Sequence, residues 1–170
     1  MAARASMFDV EVKAVSDTLI TALVLSAAAG ITFWAYRLFR RSTTDHLAAF
    51  IGALAVALGS MIAIAGLLHT TFVVSGAVRA QKPYDVRFAW LITTGALLMY
   101  TGVINAWLAR AMKRGERSAM TASAAATIAL LLFLAALHPA SSQTILLLTH
   151  GGYIALVLFW LKRDRLTIAR

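Results

Sequence analysis

LAAFIGALAVALGSMIAIAGLLHTTFVVSGAV, residues 47–78, decides how the rest of the chain is read. Its thirty-two residues contain no acid, no base and a single histidine, His69. An α-helix rises about 1.5 Å per residue, so roughly 20 apolar residues cross the hydrocarbon core of a bilayer. The stretch is long enough to cross and to project beyond. Gly52, Gly59 and Gly66 recur every seven residues, which keeps them near one helical face. His69 follows Gly66 by three residues and falls close to that face. Such a stripe lets another helix approach closely, and it ends in a ring that can ligate, titrate or donate.

Composition extends this reading outward. Of 170 residues, 61% are hydrophobic and 14% charged, with mean hydropathy +0.79, whereas soluble domains carry about 25% charged residues. A soluble chain of this size could not bury so much apolar surface. The expected fold is all-α, a single-domain polytopic helix bundle embedded in a membrane. The net charge of +9 would raise nucleic acid as a partner of a soluble protein. Here the bases sit in short runs at the ends of apolar segments, which is the membrane-orientation pattern, and no nucleic-acid partner is expected. The absence of cysteine excludes disulfides, thiolate metal sites and cysteine nucleophiles.

In chain order, residues 1–16 read as an interfacial segment, mixed in charge sign, rather than as a cleaved leader. Five spans follow, at about 17–39, 47–78, 88–108, 118–137 and 143–161. The connections are Arg40–His46, where Thr44 or Asp45 can cap the second helix, then Arg79–Arg87 with Pro83, Arg110–Arg117 with Gly115, and His138–Pro139. With the amino terminus outside, eleven Lys and Arg residues collect on the inner side and five on the outer side. That asymmetry predicts amino terminus out and carboxyl terminus in. The compact, loop-poor, Ala- and Arg-rich chain points to a bacterial inner membrane.

The third span echoes the second. Gly95, Gly102 and Asn105 repeat the spacing of Gly59, Gly66 and His69. Small residues admit a neighbouring backbone, and Asn or His then hydrogen-bonds across the seam. Gly52, Gly59, Gly66, Gly95, Gly102 and Asn105 are therefore the expected helix-packing positions. An inverted repeat of the kind found in transporters is the bolder reading of the same spacing.

Three histidines gather toward the outer side in this topology. His69 and His150 lie within spans and His138 closes the fourth, while His46 marks the inner start of the second. His69 and His150 could ligate one b-type haem, or a copper or zinc ion, through neutral ring nitrogens. The plainer reading has each ring bonding a carbonyl or a neighbouring hydroxyl. Tyr84, Asp85 and Arg87 form a polar outer loop which, with His138 and Tyr153, could line an outer pocket for a quinone, lipid head group or partner; capping by Asp85 is the plainer alternative. Gly151 and Gly152 are expected at a close crossing or kink. No acid lies centrally in a span, and there is no phosphate loop, HExxH helix, GxSxG elbow or carboxylate pair. The leading functional expectation is a non-catalytic membrane subunit or accessory factor acting through helix packing, its partners the lipid bilayer and either other membrane subunits or further copies of itself. The alternatives are an electron carrier with one b-type haem, linked to quinone, and a small transporter or flippase.

Overall fold

The computed structural model describes residues 22, 23, 25–80, 85–137 and 144–168. The interfacial reading of residues 1–16, together with Tyr84 and His138, lies outside the described residues. Every regular element described is helical: α1 (residues 25–40), α2 (His46–Arg79), α3 (Val86–Met112), α4 (Arg117–Leu137) and α5 (Thr144–Ile168). Three of these, α2, α3 and Arg117–Ala136 within α4, are long and apolar enough to cross a membrane, with mean hydropathies of 2.4, 1.4 and 2.0.

The helix starts follow from capping chemistry. Asp45, in extended backbone, accepts from the amides of Leu47 and Ala48 at 3.0 and 3.1 Å, so two of the unpaired donors of α2 are satisfied. Asp85 caps α3 in the same way, accepting from the Phe88 amide at 2.7 Å. α3 ends at Met112, and the turn that follows it passes through Gly115, whose φ of 76° few other residues adopt readily. Two helices outrun the expected spans: α3 continues past Leu108 to Met112, and α5 past Leu161 to Ile168. Arginine and lysine are good helix formers, so a charge run ends the apolar span without ending the helix.

At 34 residues, α2 is about 51 Å long. Its first two-thirds form the centre of the bundle, where Ala48, Ala49, Ile51, Ala53, Ala55 and Ala57 are fully buried. α3 packs along α2, α4 packs on α3, and α5 closes against α4 and α2. α1 lies against the start of α2, where the Tyr36 and Phe50 rings meet edge-on at 6.1 Å. The direction alternates from helix to helix. The α1–α2 and α3–α4 connections therefore share one end with the end of α5, joined there by Asp45 to Trp160 and Arg163 and by Lys113 to Ser42.

The outward faces are apolar on every helix. Phe72 of α2 and Trp107 of α3 are 74% and 77% exposed, and Trp34, Leu132 and Leu148 are exposed on α1, α4 and α5. Scattered exposed apolar residues are ordinary, but large ones on all sides of so small a bundle are not a water-facing surface.

Candidate functional site

Two arrangements organise the interior. The first is the α2–α3 seam, made by backbone approaching backbone. A Cβ placed on Gly59 would lie 2.6 Å from the Gly102 carbonyl oxygen, and one on Gly52 would lie 2.9 Å from that of Ala109. A Cβ on Gly66 would strike the Gly95 carbonyl and the Met99 amide. Gly59 thus faces Gly102, and Gly66 faces Gly95. Antiparallel helices facing each other in this way need the same glycine spacing, which accounts for the echo between the two spans without a repeated unit. His69 crosses the seam, its Nε2–H donating to the Leu91 carbonyl at 3.1 Å.

The second arrangement is a buried polar junction of α3, α4 and α5. Asn105, Ser123, Thr127 and Tyr153 are each no more than 2% exposed. Ser123 and Thr127, four residues apart, share one face of α4. The Ser123 hydroxyl donates to Asn105 Oδ1 at 2.7 Å and meets the Tyr153 hydroxyl at 2.5 Å. Asn105 Nδ2 donates to Thr127 Oγ1 at 3.0 Å, and the Thr127 hydroxyl donates to the Ser123 carbonyl at 2.8 Å. Each hydroxyl has one proton, so the order is fixed. Tyr153 donates to Ser123, Ser123 to Asn105, Asn105 to Thr127, and Thr127 to backbone. The 3.8 Å approach of the Tyr153 oxygen to Met112 Sδ is then a polarisable contact. Bonded to one another and to backbone, these four side chains fix how three helices sit together.

His150 stands one helical turn from Tyr153 and is 2% exposed. Its Nδ1–H donates to the Leu146 carbonyl at 3.0 Å, with the Thr149 hydroxyl alongside at 3.1 Å. Its Nε2 has no hydrogen-bond partner and is the one such buried side-chain atom among the described residues.

The expected positions are thus distributed as follows. His69 and His150 each bond a backbone carbonyl, His69 on α3 and His150 within its own helix. Among the described residues, no three His, Asp or Glu groups gather as a metal cluster. Asp85 caps α3 and Arg87 is exposed beside it. Tyr153, grouped by the sequence with the outer pocket, instead directs its hydroxyl to Ser123 and Met112. Asn105 lies beside Gly59 but turns its amide to α4 rather than across to α2. Gly151 and Gly152 correct the expectation of a close crossing, since a Cβ on either would meet nothing within 4 Å.

One contact outside the expected set left a faint trace in the sequence. Asp45 Oδ2 accepts from Trp160 Nε1 at 2.9 Å and from Arg163 Nη2 at 2.5 Å, while Oδ1 caps α2. Partial burial pushes its pKa up, but hydrogen bonds from Trp160, the Ala48 amide and Arg163, with the arginine charge, outweigh that and hold the carboxyl below its usual range. Nearby, Arg114 pairs with Glu116 at 2.6 Å. Trp160 and Arg163 are three residues apart on α5, and the alternating topology brings both to the Asp45 end; that spacing is the one clue a reader of the sequence had.

Compared with known proteins, the chain matches no family model, and no curated protein or solved structure shows significant similarity to it.

Proposed function

We propose that this chain is an integral membrane protein of five spans, amino terminus outside, serving as a non-catalytic subunit or accessory factor of a larger assembly in a bacterial inner membrane. The observation that carries the reading is the inversion of polarity. Large apolar side chains face outward on every helix, while Asn105, Ser123, Thr127 and Tyr153 satisfy one another inside. Lipid is the solvent in which that distribution is stable. The buried polar side chains of this junction hold three helices together, which favours a role exerted through surfaces. The uncovered backbone at Gly151 and Gly152 leaves room for a neighbouring helix.

Alkaline extraction should leave the protein in the membrane pellet. Because the chain lacks cysteine, single-cysteine labelling reads its topology directly: E116C should react only from the cytosolic side and A80C only from the outside. In mild detergent the protein should migrate on a native gel with other membrane proteins; migration as a bare 18.3 kDa monomer would sink the assembly role.

A second reading, an electron carrier with one b-type haem, is favoured by a single observation, the unpartnered Nε2 of His150. His69 would have to release the Leu91 carbonyl or ligate through Nδ1. A Soret band from protein expressed with haem, lost in H150A, would establish it; a flat spectrum would end it.

A further inference from the structure

Between α1 and the start of α2 lies an apolar groove of about 750 Å³, the largest of the clefts described. Ala29, Phe33 and Tyr36 form one wall and His46, Phe50 and Leu54 the other. On α2 it runs from His46 to Leu58, twelve residue steps, or about 18 Å. It therefore reaches from the polar α1–α2 end well into the apolar middle.

What stands at its mouth identifies the occupant. Arg37 holds its guanidinium 5.5 Å from the centre of the Phe33 ring, on the groove wall. Arg40 and Arg41 follow within a turn and are exposed. The acid that precedes His46, Asp45, directs its carboxylate to the α2 cap, Trp160 and Arg163. A long apolar trough thus opens at a cationic mouth.

We propose that this groove binds one anionic phospholipid, the acyl chain lying along α1 and α2 and the phosphate head beside Arg37 and His46. An apolar chain supplies what the trough removes from water, and a negative head supplies what the mouth lacks. The proposal rests on the membrane reading, but the two fail separately: alkaline extraction tests residence in lipid, whereas lipid-class selectivity tests the groove.

The experiment is native mass spectrometry of the full, delipidated chain titrated with phosphatidylglycerol or phosphatidylcholine of matched acyl length. One phosphatidylglycerol should be retained about fivefold more tightly than phosphatidylcholine, the ratio expected for one arginine near a membrane surface. R37Q should abolish that preference, and A29W, which places an indole on the exposed groove wall, should abolish retention of both lipids. R110Q, a charge removed from the same end but from α3, should change nothing. Equal retention of the two lipids overturns the proposal, as does R110Q matching R37Q. So does a lipid-independent dimer that A29W dissolves, which would make a second copy the occupant. Both arginine variants alter exposed side chains, so the test does not depend on A29W folding.

Discussion

The α2–α3 seam and the α3–α4–α5 junction hold the same bundle by opposite means. At the seam side chains are absent, and the interaction is backbone against backbone, Gly59 on Gly102 and Gly66 on Gly95. At the junction side chains do everything, four of them linked by hydrogen bonds donated in one fixed order. The seam tolerates no added atom. The junction weakens by degrees as its polar atoms are removed. Dispersion at close range depends on shape and fails abruptly when a carbon intrudes, because carbonyl and amide neighbours cannot rotate away. A hydrogen bond lost in lipid has a graded cost, since the unfolded helices find other partners there as well.

The sharpest way to break this contrast is to fill the seam. G66L should destabilise the protein by about 3 kcal/mol, since overpacking of about 1–3 kcal/mol meets backbone that cannot yield. Unfolding in a denaturing-detergent titration measures it, and a variant as stable as the parent would mean the two helices do not meet there. At the junction, N105L strands Ser123 and Thr127 together and should cost about 2 kcal/mol. Y153F removes only the terminal donor and should cost about 0.6 kcal/mol, the membrane average for one such bond. If Y153F proved as harmful as N105L, the proton order assigned here would be reversed.

A third region sharpens the comparison, because it lies outside the apolar layer and titrates. D45A should cost about 1 kcal/mol for the lost cap. Its folded carboxyl titrates below the unfolded value of about 3.9, so the stabilisation is complete above pH 4 and is lost as pH falls through the folded value. Thermal melts from pH 6 to pH 3 should therefore fall more steeply for the parent than for D45N. The smallest effect belongs to G151A, whose new Cβ meets nothing within 4 Å; it should stay within about 0.5 kcal/mol of the parent. Loss of assembly in that variant with unchanged monomer stability would place a partner helix on Gly151.

Legibility in the sequence followed the range of the interaction. Glycines seven apart on two neighbouring helices declare a shared face, because periodicity along one helix is enough to align them. Asn105 was visible as a polar residue near that face, but its partners Ser123 and Thr127 belong to a helix whose rotation no periodicity fixes, α4 being apolar nearly all round. Tyr153 was grouped with the outer pocket for the same reason: its position in the chain gives its depth and not its partners, which are Ser123 and Met112. Gly151 and Gly152 carried the opposite lesson. Adjacent glycines cannot both face one neighbour, and neither does.

By itself the sequence determined helical segments, the capped starts at Asp45 and Asp85, the turn at Gly115, and an apolar character incompatible with a water-facing surface, because capping, backbone conformation and hydropathy act within a few residues. Only the tertiary structure decided that Asn105 turns to α4, that Asp45 grips Trp160 and Arg163, and that α1 and α2 part to leave a groove. Those outcomes depend on how each helix is rotated about its axis, and a helix apolar on every side leaves that rotation to its neighbours.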